Sequence, residues 1–246
     1  MNIISKTSTF VLAIISLLLV IPGGCVFRNM EGNGLLVKQE RQLGDFNQIH
    51  LSGPMNVYLT QDKTASVMVH ADENLTDLIR TTIDNNNILV VDWDAPEDTK
   101  VKLKNQVDVY INYKNIHTLK NALVGNLECL SSINVDSLHI QSTSVGKMNL
   151  IISCHTLTTN LSGVGNATLS GNADEVIIQN SAVGNLKAFE LLVNRLIIKH
   201  KGVGNVEVNA EKEINIYASG VGNLYYSGNA EVGEFKVNGT GKVEKR

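Results

Sequence analysis

Around a recurring Val-Gly dipeptide, apolar residues fall at fixed offsets. Eight and six residues before the glycine stand Leu138 and Ile140, Leu157 and Thr159, Val176 and Ile178, Leu196 and Ile198, Ile214 and Ile216. Two and four residues after it stand Leu127 and Cys129, Met148 and Leu150, Ala167 and Leu169, Leu186 and Ala188, Val206 and Val208, Leu224 and Tyr226. The intervening residues, such as His139, Gln141, Glu128, Thr168 and Glu207, are mostly polar. Alternation with a period of two predicts short strands with one face buried. The dipeptide recurs at Gly125, Gly146, Gly165, Gly184, Gly204 and Gly222, with a degraded copy at Thr240-Gly241-Lys242; successive glycines are 21, 19, 19, 20, 18 and 19 residues apart. Strands that return about every twenty residues predict an all-β fold, a single-stranded parallel β-helix. Each strand would bond to its equivalent in the next coil, roughly 4.8 Å away.

Between the two strands of a coil the chain must turn a corner. Glycine accepts positive φ there without penalty. Asn126, Asn166, Asn185, Asn205 and Asn223 follow the glycine directly. Asparagine tolerates turn geometry and can form a hydrogen-bonded ladder up the stack. The repeat therefore reads as structural, and function is expected away from it. A second corner recurs as Ser170-Gly171-Asn172-Ala173 and Ser227-Gly228-Asn229-Ala230.

The pattern extends towards the N-terminus. Ser52-Gly53-Pro54-Met55-Asn56-Val57 aligns position for position with Ser219-Gly220-Val221-Gly222-Asn223-Leu224, marking a variant first unit. It is interrupted over about 62–104. There Val67 and Val69 predict a strand, Asp72 to about Ile83 a helix carrying Leu75, Leu78 and Ile79, and Ile88 to Trp93 a second strand. This strand–helix–strand insert is expected to cap one open end of the solenoid. Residues 26–44, polar with Gly32, Gly34 and a Lys38-Gln39-Glu40-Arg41 run, read as a tether, and the folded body is placed at 45–246.

Residues 1–25 read as a targeting segment. Lys6 precedes an apolar run from Phe10 to Pro22, too short for a comfortable membrane span, and the run stops at Gly23-Gly24-Cys25. The arrangement resembles a bacterial lipoprotein signal in which Cys25 becomes the lipidated first residue. Pro22 stands where such signals usually carry Leu, so ordinary cleavage near Gly24 is the alternative. Either way the mature chain is exported. In a Gram-negative host, Val26 after the cysteine would permit sorting to the outer membrane.

Phe46 to Val57, the Ala71-to-Trp93 insert and the Val-Gly-Asn array together resemble the head GIN domain of auto-transporter adhesins, a bacterial envelope family. The resemblance covers Asp45 to Arg246. It implies a β-helical exported protein, often a lipoprotein, with an adhesin-like role, and it brings no catalytic residues. The leucine-rich repeat shares the period but not the pattern, since its Leu-x-x-Leu-x-Leu-x-x-Asn signature is absent.

Composition narrows the partners. A net charge of -3 with scattered lysines offers no basic stripe, which argues against nucleic acid. Cys129 and Cys154 fall at different points of adjacent coils and read as two separate buried thiols. His50, His70, His117, His139, His155 and His200 form no zinc-ligand spacing, and the acidic run Asp92, Asp94, Glu97 and Asp98 lacks calcium-loop order. No metal, cofactor or catalytic residue is expected. The candidate partner surface comprises Trp93, the sole tryptophan, and the outward Lys187 and Lys199, with Lys201 and His200 beside them. Trp93 would otherwise pack the insert against the solenoid. The expected function is a non-enzymatic envelope lipoprotein, an adhesin-like or scaffold module anchored to the membrane by lipid and contacting an envelope polysaccharide or protein. The alternative is a carbohydrate-active β-helix enzyme of the polysaccharide lyase or hydrolase kind.

Overall fold

The computed structural model describes residues 28–246; the targeting segment and Cys25 lie outside the described residues. Arg28–Glu31 (β1) and Leu36–Gln42 (β2) come first, then Gln48–Gly53 (β3), Asn56–Gln61 (β4) and Ser66–Asp72 (β5). A 3-10 turn, Glu73–Leu78, leads to Ile79–Ile83 (β6), Ile88–Trp93 (β7), Thr99–Lys102 (β8) and Asp108–Tyr113 (β9). The regular array follows: Thr118–Leu123 (β10), Leu127–Cys129 (β11), Ile133–Ser142 (β12), Met148–Leu161 (β13), Ala167–Asn180 (β14), Leu186–Ala188 (β15) and Leu191–His200 (β16). It continues with Val206–Asn209 (β17), Glu213–Ala218 (β18), Leu224–Ser227 (β19), Glu231–Val237 (β20) and Val243–Lys245 (β21).

From β10 onward every pairing between coils is parallel, and the register holds except for a one-residue shift between Ile214 and Ile216 where β18 meets β20, so the chain is the predicted β-solenoid. The inward columns are those the alternation marks: Leu138, Leu157, Val176, Leu196 and Ile214 are all buried, as are Leu127, Met148, Leu186, Val206 and Leu224. Each coil has three flats rather than the two strands read from sequence. Within β16 the ladder breaks at Asn194, separating an inward Leu191/Val193 pair from Leu196, Ile198 and His200. Cys129 and Cys154 are separate buried thiols. Burial raises both, to about 12 for Cys129 and about 11 for Cys154.

At the corners the carbonyl of one glycine occupies the space above which the next must fit. A Cβ on Gly184, whose φ is +141°, would lie 2.0 Å from the Gly165 carbonyl oxygen. The asparagine ladder runs from side chain to backbone. The Asn166 Oδ1 accepts the Asn185 N–H at 2.9 Å, Asn185 accepts that of Asn205 at 2.8 Å, and Asn205 that of Asn223 at 2.9 Å. Asn56 provides the first rung by accepting the Asn126 N–H at 3.0 Å, so the variant unit at Ser52–Val57 is a true corner.

The N-terminal end departs from expectation in three ways. First, β3 and β4 are wedged between two later coils: β3 pairs with both β7 and β10, and β4 with both β9 and β11. Second, the expected helix is only the six-residue 3-10 turn, and 79–83 is a strand antiparallel to β7. Thr81, Thr82 and Ile83 are β-branched and favour extended backbone. The hairpin turn between β6 and β7 is closed by Asp84 Oδ1, which accepts the N–H groups of Asn86 and Ile88. Third, residues 26–44 are not simply a tether. Arg28–Glu31 pairs with β8, and Leu36–Gln42 pairs antiparallel with β5 along its whole length. Arg41 carries this edge inward: its guanidinium donates to the Thr76 carbonyl at 2.9 Å, to Thr81 Oγ1 at 3.0 Å and to the Ile79 carbonyl. Antiparallel β6, β5 and β2 thus end the parallel stack, with polar side chains on the last edge.

Candidate functional site

Stacking consumes the inward side chains, so any recognition must use the outward columns. Two columns flank the Val-Gly corner. On the flat before it, five residues ahead of each corner glycine, Lys120, Gln141, Asn160, Gln179, Lys199, Tyr217 and Lys236 stand directly above one another. On the flat after it, three residues past the glycine, the column reads Tyr110, Tyr58, Glu128, Asn149, Thr168, Lys187, Glu207, Tyr225 and Glu244. Between them runs a ridge of exposed valines, Val124 to Val221, bridged in register.

This geometry redistributes the candidate residues. Lys187 lies between Thr168 and Glu207, across the corner from Lys199. Lys199 instead adjoins Lys201, just past the end of its strand, and Tyr217 on the next coil. His200 points inward and is 1% exposed, so it leaves the surface altogether. Trp93 is half-buried at the end of β7, opposite Ile79, where it packs on the core. It stands so close behind the first corner that a Cβ on Gly53 would meet its own Cβ at 2.6 Å.

The side chains that do converge are Lys199, Lys201, Tyr217 and Lys236. They line an open hollow of about 380 Å³ together with Ser219 and Asn238. A second hollow of about 340 Å³ shares Lys199 and Lys201 and continues to Gln179 and Ser181. Two lysine ammoniums approach the same ring: Lys199 Nζ is 5.8 Å and Lys236 Nζ 5.4 Å from the Tyr217 centroid. Burial, then a hydrogen bond to Glu234, raises the Tyr217 hydroxyl above its ordinary range. Glu234 also binds Lys236 at 2.6 Å, and that contact lowers its carboxyl. Among the described residues no carboxylate lies within ion-pair distance of Lys199 or Lys201.

Tyr217 and Lys236 were not singled out by sequence. The offset of five residues before Gly222 and Gly241 would have aligned them with Lys199, five before Gly204. Elsewhere, Arg80 pairs with Asp92 and Asp94, so the acidic run is partly neutralised from within. At the bend opposite the Val-Gly corner, His155 Nδ1 lies 2.9 Å from Asp174 Oδ2, and this hydrogen bond raises the imidazole. Among the described residues no three His, Cys, Asp or Glu side chains gather as metal ligands, and no helix is long and apolar enough to cross a membrane.

Residues 45–230 match the model of the family described as "putative auto-transporter adhesin, head GIN domain". The chain belongs to this family. A search of curated proteins finds no match. Solved structures share the solenoid. A "putative adhesin" from Bacteroides fragilis superposes with a TM-score of 0.82 at 22% identity, covering 88% of this chain and 100% of that one. A "putative adhesin" from Parabacteroides merdae gives 0.63 at 23% identity, covering 89% and 99%. A "putative lipid binding protein" from Parabacteroides distasonis gives 0.68 at 19% identity, covering 89% and 100%. At these identities the likeness establishes the fold, and the family name points to an exported surface protein.

Proposed function

We propose that this head GIN domain is a non-enzymatic, adhesin-like binding module of the cell envelope, held at the membrane through a lipid on Cys25, that presents the outward columns of its solenoid to an envelope polysaccharide or protein. One observation carries this reading. The side chains with special geometry are spent on corners and core, while the two outward columns that flank the Val-Gly corner run unbroken from coil to coil as regularly spaced, largely polar faces. Such a surface fits extended contact along its length better than chemistry at a point.

Hydrolysis by the usual pair of carboxylates needs both acids facing one groove. No carboxylate lines the lysine hollow. Protein lacking residues 1–25 should bind a component on a glycan and peptidoglycan array, or crosslink to an envelope partner. Binding nowhere and crosslinking to nothing would leave only a structural role. Sugar release from acidic polysaccharides that disappears in Lys199→Ala would instead favour the enzyme. Incorporation of labelled palmitate should be lost in Cys25→Ala; label that persists would remove the lipid anchor from the proposal.

A further inference from the structure

We infer that the lysine hollow of β16, β18 and β20 is a binding track for an acidic polysaccharide that lies across the coils, parallel to the solenoid axis. The inference rests on the binding-module reading above and gives it a ligand class. It starts from charge. Lys199 stands near the end of β16 and Lys201 just past it, two residues apart, and neither has a carboxylate within ion-pair distance among the described residues. Lys236 adds a third ammonium two coils from Lys199 in the same column, roughly 10 Å away at the spacing of stacked strands. Its charge is shared with Glu234, so the track keeps a net positive potential at Lys199 and Lys201.

The spacing is set by the fold. Tyr217 stands between Lys199 and Lys236, and both ammoniums lean on its ring, which holds two like charges on the rungs either side of it. Preorganised charges lose less entropy on binding than free lysines do. The two hollows meet at Lys199 and Lys201, so the track extends over four coils, from Gln179 and Ser181 to Lys236 and Asn238. Beside the lysines it offers the hydroxyls of Ser181 and Ser219 and the amides of Gln179 and Asn238. These groups donate and accept hydrogen bonds, as a sugar's hydroxyls require.

Other polyanions fit less well. Single-stranded nucleic acid is held by bases stacking on open aromatic faces. Here the lysines engage the Tyr217 ring, and apart from Ala218 and the Glu234 carboxylate held against Lys236 the rest of the track is hydroxyl, amide and ammonium. An anionic bilayer would be met by a broad basic face, whereas here the ammoniums without a carboxylate partner in the hollow are Lys199 and Lys201 alone. Carboxylated and sulfated sugars share the chemistry that three lysines recognise, namely an anion on a hydroxyl-rich ring. The test separates them.

The chain lacking residues 1–25 would be run in affinity electrophoresis and by calorimetry against polygalacturonate, heparin and neutral dextran. A single-stranded oligonucleotide and vesicles of phosphatidylglycerol would be included as competitors in kind. Retention is expected on polygalacturonate, on heparin or on both, but not on dextran, and it should fall steeply as salt rises. The Lys199→Gln/Lys201→Gln double variant should bind about tenfold more weakly or worse, the effect of losing two charge-assisted contacts. Lys187→Gln, on the other flat, should bind as the parent does. All three sites are exposed, and matching circular dichroism and thermal unfolding would confirm that the variants fold. Tyr217→Ala should weaken binding while leaving both charges in place, and Tyr217→Phe should restore it.

Equal binding by the double variant overturns the inference. So does retention on neither acidic glycan, or an oligonucleotide or vesicles bound as tightly as the better glycan. If the chain still captures an envelope component in those cases, the module reading survives and only the ligand class falls. If it captures none, both fall.

Discussion

Each corner asparagine uses its side-chain oxygen to accept the backbone N–H one coil further on. Lys147 is the one corner residue of the array between Asn126 and Asn223 that has no acceptor to offer. Asn126 Oδ1 still takes the Lys147 N–H at 3.1 Å, but nothing equivalent passes from Lys147 to Asn166. Lys147→Asn should therefore complete the ladder and stabilise the chain by about 1 kcal/mol, the net worth of one such hydrogen bond. Denaturant unfolding with an unchanged m-value would measure it, and no gain would mean that water already satisfies the Asn166 N–H.

A second residue-scale prediction concerns His200. Its ring is buried, Nδ1 sits 3.3 Å from Asn180 Nδ2, and Nε2 has no partner. Burial lowers its pKa below the ordinary 6.5. The folded chain therefore keeps this imidazole neutral at a pH where the unfolded chain already binds a proton. Stability from this group is complete above about pH 6.5 and declines as the pH falls through that value, by at most about 1.4 kcal/mol per pH unit. His50 shifts in the same direction, mainly through burial, whereas the exposed His155 shifts the other way. In His200→Asn the loss of stability between pH 7.5 and 5.5 should shrink relative to the parent, as seen by urea titration at each pH. An unchanged slope would show that His200 is protonated in the fold.

At the scale of elements, the N-terminal end depends on one side chain. Arg41, on an edge strand, satisfies the carbonyls at the end of the 3-10 turn and the start of β6. The Thr76 carbonyl also accepts the Ile79 N–H that caps the turn, so Arg41 adds a second, charged donor there. Arg41→Ala should destabilise this end by about 2 kcal/mol, in the range of hydrogen bonds to a charged group. Amides of 73–83 should then exchange faster while those of 191–200 stay slow. Uniform change along the chain would place Arg41 outside the cap.

Considered as a whole, the molecule is a stack in which each coil is stabilised by its two neighbours. β20 and β21 have a coil on one side only, and the apolar Val232 and Phe235 are 39% and 49% exposed. Amides of 231–245 should exchange at least about tenfold faster than those of 191–200 in hydrogen-exchange mass spectrometry. Equal protection would mean that something covers this end in solution. At the other end, wedging β3 and β4 between later strands brings Gln48 beside Thr118. Such a contact must wait for a loop of some seventy residues to close, which slows folding.

Local sequence determined the coil. Alternation chose which side chains face inward, glycine chose the corner, and an offset counted from that glycine assigns every outward residue to a column. These are contacts between one coil and the next, so a period in the sequence is enough to register them. The offset even separates Lys187 from Lys199, five before one glycine and three after another being on different flats. What the period could not carry was decided by tertiary structure. Leu75, Leu78 and Ile79 suit a helix or a buried turn and strand alike, and only the free edge of β7 selected the strand. The polar 36–42 segment looked like a tether because its partner strand, β5, lies beyond an intervening coil in sequence. The lysine track likewise arises from three separate strands. Its charge becomes a site only when stacking sets Lys199, Tyr217 and Lys236 one above another.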